Sequence, residues 1–220
     1  MSVLNRIAFY QGRRDEVPNQ ELARDLAAAR NTEGIREIAG NLWNKDRNVQ
    51  SDCLKVIYEI GYISPELIAD HVADFLKLLK SRNNRLVWGS MIALATISKI
   101  KARDIWASMD DVLVAVEEGS LITVVWGVKT LAGVASKSKE YSERLFPILV
   151  KQLQSCIPRD LPMHAESILP AVDQSNRAEF LSVLDSRRDE LTPSQASRLR
   201  KVIRQAEAAQ DDGGALASRM

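Results

Sequence analysis

Few residues are equipped for catalysis, and they are scattered. His71 and His164 are the only histidines, and neither has a Cys/His cluster near it, so no metal site is expected. The sequence holds no glycine-rich phosphate loop, no His-Glu-x-x-His and no Gly-x-Ser-x-Gly elbow. Both histidines are read as partly exposed helix residues. The acid pairs Asp110-Asp111 and Glu117-Glu118 fall at helix ends, where carboxylates serve as caps and solvated surface rather than as an acid–base dyad. No catalytic residue, cofactor or metal ligand is assigned, and the expectation is a protein that is not an enzyme.

What remains is recognition chemistry. Val87-Trp88-Gly89 and Val125-Trp126-Gly127 repeat at a displacement of 38 residues, each followed by an apolar run and Ser-Lys-x-Lys. Placing Val49 over Leu86, a displacement of 37, also superimposes Ile57 on Leu94 and Ile60 on Ile97. In the first of these segments Val49, Cys53, Ile57 and Ile60 form a core stripe, while Ser51, Lys55 and Glu59 face away. Shifting that outer stripe by 37 lands on Trp88, Ile92 and Thr96. A face that is polar in one repeat is apolar in the next, which fits an anchor for a partner and also a helix enclosed by its neighbours. The candidate partner contacts are Trp88, Ile92, Lys55 and Lys129; Trp126 is assigned to packing.

Charge marks a second region. Between Phe75 and Ile105 stand seven bases, Lys77, Lys80, Arg82, Arg85, Lys99, Lys101 and Arg103, against the single acid Asp104. Lys137 and Lys139 repeat the places of Lys99 and Lys101 at a displacement of 38. Arg82, Arg85, Lys99, Lys101, Arg103, Lys137 and Lys139 are therefore candidates for a stacked basic ridge that tracks phosphates, with solvated inter-helix loops as the alternative.

The elements that must position these residues read as helices. Ile35, Ile38, Ala39, Leu42 and Trp43 draw one apolar stripe, "NKDRN" makes a polar turn, and the Val49 stripe runs to Gly61 as a stop. Ser64-Pro65-Glu66 reads as the start of a helix to Leu79, ended by "KSRNN"; Leu86 to Ile100 follows. Ser108 and Asp111 suggest a capping box, and Gly119 a stop. Pro147, Pro158, Pro162 and Pro170 are each expected to end or restart a helix. Thr192-Pro193-Ser194-Gln195 is a capping box opening a basic helix to about Ala209. No segment shows strand alternation between hairpin turns.

Helix, polar turn, helix at a period of 37 to 38 residues is the signature of a solenoid in which successive repeats bury one another. "NRLVWGSMIALATI" and "NVQSDCLKVIYEI" resemble the second helix of a HEAT repeat, with a valine-like start and Ala-Leu-x-x-Ile after it; Val87 stands where the common repeat has arginine. The resemblance covers roughly Ile35 to Ala135 and reaches Ala208 loosely. It implies an all-α fold, a right-handed α-α superhelix (HEAT-like solenoid) of about four to five helix pairs, with second helices lining a concave surface. Residues 1–209 are expected to form a single helical-repeat domain, less regular at 1–30 and after 140, and residues 210–220 a flexible tail.

Composition narrows the partner. Thirty bases against 29 acids give a net charge of +1, without the strong positive balance expected of nucleic-acid or anionic-membrane binding. Cys53 and Cys156 lie far apart, which reads as a reduced, cytoplasmic protein without a structural disulfide. The amino terminus lacks the form of a signal peptide, and no apolar run approaches membrane-spanning length. The expected function is a scaffold or adaptor that binds a protein or peptide through its concave surface. The alternative is a nucleic-acid-associated protein similar to the HEAT-like DNA alkylation-repair glycosylases.

Overall fold

A computed structural model describes residues 2–208, all of whose regular elements are α-helices or short 3-10 turns. The chain divides into two compact units, Met1–Thr130 and Leu131–Met220, and the division falls inside one continuous helix, α8. The expected tail, 210–220, lies outside the described residues.

The first unit contains α1 (Val17–Ala28), α2 (Thr32–Gly40), α3 (Arg47–Ile63), α4 (Val72–Leu78), α5 (Asn84–Ile97), α6 (Ala102–Ala107), α7 (Met109–Glu118) and the greater part of α8 (Leu121–Ala135). Side chains placed at the turns start several of them. Asn31, Asp46 and Asn83 accept from the backbone N–H groups of Gly34, Asn48 and Arg85, satisfying donors that a helix start leaves open. Helix α3 packs on α1 to one side and α5 to the other, and α2 and α4 back them as the partners of α3 and α5. The expected core stripe holds, since Val49, Cys53, Ile57, Ile60, Leu86, Leu94 and Ile97 are all buried.

Glycine sets the closeness of these contacts. A Cβ on Gly89 would stand 2.6 Å from Leu54 Cδ2 of α3, and one on Gly127 2.2 Å from Val116 Cγ2 of α7. Gly61 is equally tight, 2.5 Å from Thr96 Oγ1, and α3 runs through it to Ile63. Its expected role as a stop is therefore corrected: Gly61 is a contact glycine inside the helix. The expected helix from Ser64 to Leu79 is also broken, into 3-10 turns at Pro65–Leu67 and Ala69–His71 followed by α4. Ser108 precedes α7 but makes no side-chain capping bond, so the capping box read there does not form.

A buried polar knot fastens the amino-terminal segment. Asn19, 1% exposed, accepts from the Ala8 N–H at 2.9 Å and donates to Asp52 Oδ1 at 3.0 Å, while Asp52 also accepts from Phe9 N–H at 2.7 Å. Every polar atom in the knot that is removed from water meets a partner, which is the condition for burying it without penalty.

The second unit contains α9 (Lys139–Ser155), α10 (Leu161–Ile168), α11 (Arg177–Ser186) and α12 (Pro193–Ala208), with α9 against α10 and α11, and α12 against both of those. Helix α9 runs through Pro147 rather than stopping there; Pro147 and Glu143, whose carbonyl loses its donor, both lie on the exposed face, where water can reach that carbonyl. Pro158, Pro162 and Pro170 do open turns or helices. At the other end of α9 the Arg187 guanidinium donates to the carbonyls of Leu153 and Cys156, each at 2.7 Å, and supplies the last turn with donors. Thr192 and Gln195 form the expected reciprocal capping box at 3.4 and 2.9 Å. His164 is buried rather than partly exposed, with Nδ1 unpartnered among the described residues and Nε2 3.5 Å from Gln152 Nε2. Its burial disfavours the charged ring and lowers its pKa, a pull that the Asp160 carboxylate opposes.

Two measurements test these packing claims. Alanine exceeds glycine in helix propensity by about 1 kcal/mol, yet Gly127→Ala should destabilise, because Val116 is β-branched and cannot turn its methyl aside. Gly89→Ala should be milder, since the terminal methyl of Leu54 can rotate away; urea melts showing Gly127→Ala to be stabilising would contradict the close contact. Burial makes the fold favour the neutral ring of His164, so its contribution is intact above the unfolded histidine pKa of about 6.5 and is lost as pH falls through the lowered folded value. His164→Gln should flatten the decline in urea midpoint below about pH 6.5, and an unchanged decline would remove the histidine from that role.

Candidate functional site

The sequence of α3 places Tyr58 and Tyr62 one turn apart, so their rings share a face of the helix. Their centroids stand 5.9 Å apart in an edge-on arrangement. Trp88 from the first turns of α5 closes on Tyr58 at 6.2 Å, and Trp126 from α8 closes on Tyr62 at 5.6 Å. Four rings from three helices thus form one chain, Trp88, Tyr58, Tyr62 and Trp126, at separations where aromatic pairs attract beyond simple burial. Tyr58 is the buried member; Trp88 and Trp126 are half-buried, and Tyr62 is 46% exposed. Ile122, one turn before Trp126 on α8, is exposed as well and extends the apolar surface.

Two lysines lie on these rings. Lys55 Nζ is 4.9 Å from the Tyr58 centroid and Lys129 Nζ 4.0 Å from that of Trp126, within cation–π range. Lys55 also bonds the carboxylates of Glu16 at 2.7 Å and Glu59 at 2.8 Å. Burial works against its ammonium, but those carboxylates outweigh it and hold the Lys55 pKa above the ordinary lysine value. Burial raises both tyrosine pKa values, so the phenols remain neutral hydroxyl groups near pH 7. A notch of about 20 Å³ between Glu16, Lys55, Arg85 and Trp88 has room for about one water. Such a surface offers ring faces and edges, fixed charges and hydroxyls for binding.

Of the residues singled out from the sequence, Trp88, Lys55 and Lys129 belong to this cluster. Ile92 does not: it is 4% exposed, on a helix that packs against α3 and α4 and whose Met91 Sδ meets Thr130 Oγ1 of α8 at 3.6 Å. The 37-residue shift places Ile92 over Lys55, and both side chains are largely withdrawn from water, Lys55 with 11% of its side chain exposed. Trp126, assigned to packing, stacks with Tyr62 while keeping part of its surface open. Tyr58 and Tyr62 were the members not singled out; their signal was two aromatics spaced four apart beside a repeated tryptophan.

The residues read as a basic ridge are mostly exposed. Arg82, Arg85, Lys99 and Arg103 are exposed in the first unit, and Lys101 pairs with Asp70 at 3.0 Å. Lys137 and Lys139 are exposed in the second unit, where Lys139 lies 3.7 Å from Glu143. Cys53 and Cys156 carry free thiols, and burial pushes the Cys53 pKa up to about 12, which makes that thiol unreactive.

Solved structures match this arrangement of helices over most of its length. An engineered protein aligns at a TM-score of 0.64 and 19% identity, over 95% of this chain and 98% of that one. A designed armadillo repeat protein in complex with the peptide (KR)4 aligns at 0.66 and 16% identity, over 86% of each chain. The fold is an armadillo- and HEAT-like helical repeat. Computationally designed armadillo repeat proteins for modular peptide recognition align at 0.63 with 12% identity, over 84% of this chain and 86% of that one. At these identities the likeness concerns the fold alone. No family model and no curated protein matches the sequence. No helix among the described residues is long and apolar enough to cross a membrane.

The ring chain makes a graded stability prediction. Tyr58→Ala empties a buried aromatic site and should cost about 3 to 5 kcal/mol. Tyr62→Ala removes a half-open ring and should cost about 1 kcal/mol. Equal losses in urea melts of the two variants would show that Tyr62 is packing in the same sense as Tyr58.

Proposed function

We propose that this armadillo- and HEAT-like repeat is a non-enzymatic scaffold that binds a protein or peptide segment along the ring chain of α3, α5 and α8. The observation that carries the reading is the half-open row of Trp88, Tyr62 and Trp126, anchored on buried Tyr58 and bordered by Lys55 and Lys129. Large rings already held by neighbours lose little conformational freedom on binding, which is why aromatic residues dominate binding energy in other interfaces. Lys55, locked by Glu16 and Glu59, gives the row a fixed polar border. The peptide-bound designed repeat supports this reading by showing a similar fold used in that way.

The test is selection of peptides from a random displayed library on the wild-type chain, followed by titration against Tyr62→Ala and Trp126→Ala. Loss of affinity by about tenfold or more, equivalent to about 1.4 kcal/mol, with the circular dichroism spectrum unchanged, is the expected result. Selected peptides that bind both variants as tightly as the wild type would reject the ring chain as the binding surface.

A further inference from the structure

A second surface of the first unit, at the turns that precede α3 and α5, has a different chemistry. A cleft of about 720 Å³ is bounded by Trp43, Arg47, Gln50, Lys77, Lys80 and Arg82, with Leu78 and Leu86 as its buried floor. That volume is within the range of sites that hold a ligand of a few connected groups. Four cationic side chains line it and no carboxylate does. Two of the cations have local partners: Lys80 pairs with Asp111 at 2.9 Å, and Lys77 Nζ lies 4.5 Å above the Trp43 ring. Arg47 and Arg82 are exposed, with no carboxylate partner among the described residues.

Backbone polarity adds to the same field. The 17-residue α3 begins at Arg47 and the 14-residue α5 at Asn84, so the positive ends of two helix dipoles open on this cleft. Asp46, the acid nearest the start of α3, is engaged in accepting from Asn48 N–H at 2.8 Å. Asp74 is turned to the indole of Trp43, whose Nε1–H donates to it at 3.0 Å, and that bond fixes the ring while 43% of the residue stays open to solvent.

We infer that this cleft is a docking site for an acidic segment of another polypeptide, its carboxylates meeting Arg47 and Arg82 and an apolar side chain resting against Trp43. Charge complementarity identifies the occupant. Arginine presents a planar fork that fits a carboxylate with two parallel bonds, and the half-open indole over a leucine floor calls for an apolar group beside the acids, which a phosphodiester backbone does not supply. A long polyanion is disfavoured by a whole-chain net charge of only +1. This site is separate from the ring chain: it is built on the first turns of α3 and α5 and uses none of Tyr58, Tyr62, Trp88 or Trp126.

Fluorescence anisotropy on the full chain, with a fluorescein-labelled peptide alternating glutamate and leucine, tests the inference. The same peptide with glutamine for glutamate, and a labelled oligothymidylate, serve as comparisons. The acidic peptide should bind, and its affinity should weaken about tenfold as sodium chloride rises from about 50 to about 500 mM. The double change Arg47→Glu/Arg82→Glu should abolish binding, and Arg47→Gln/Arg82→Gln should reduce it by about tenfold with the helical spectrum retained. Trp43→Ala should weaken it too, whereas Tyr62→Ala and Trp126→Ala should leave it unchanged, so failure here is distinguishable from failure of the ring chain. Equal binding of the glutamine peptide, tighter binding of the oligonucleotide, or indifference to both arginine pairs would each overturn the proposal.

Discussion

The arrangement depends on how closely α5 can approach α3 and α8 can approach α7. At Gly89 and Gly127 a side chain of even one carbon would collide with Leu54 or Val116. Each glycine weakens its own helix by about 1 kcal/mol relative to alanine, and the close contact it permits is what offsets that cost. Because Trp88 and Trp126 each precede one of these glycines, the contact also fixes the rotation of both helices and therefore the direction in which both indoles leave them. The recurrent Val-Trp-Gly is a packing device first, and the aromatic surface is its geometric by-product.

Electrostatics then divides the first unit into two kinds of surface. Around the rings the charges are balanced and tied down, with Lys55 spanning Glu16 and Glu59. At the turns before α3 and α5 they are not, since Arg47 and Arg82 stand beside two helix starts with no carboxylate partner among the described residues. Whole-chain composition hides this contrast: near-neutrality averages a compensated face with an uncompensated one.

The helical class, the register of the core stripe and the Thr192/Gln195 cap were legible in the sequence because each rests on short-range spacing that no other segment can alter. The break of the Ser64–Leu79 segment into turns was not, since Pro65 and the stripe from Leu67 to Leu79 are locally as compatible with one helix as with two turns and a short one. Ile92 was misplaced for a related reason. Periodicity tells which side of α5 it occupies, whereas its exposure depends on which neighbouring helices cover that side. The cleft at Trp43 was less legible still, because Arg47, Lys77 and Arg82 come together only when the turns before successive helices are stacked. Sequence order had grouped Arg82 with Lys99 and Lys101 instead.

Helix α8 belongs to both compact units, for the division between Thr130 and Leu131 falls within its length. Helix winding is cooperative, each turn supplying the hydrogen-bond partners of the next, so loosening of the last turns of α8 in the second unit propagates backwards along the same hydrogen-bond ladder. Lys129 and Trp126 are the first side chains of the ring cluster that such fraying would meet. The indole of Trp126 and the ammonium stacked on it therefore stand on the same ladder as the last turn of α8, and the persistence of that turn sets how long the two are held together.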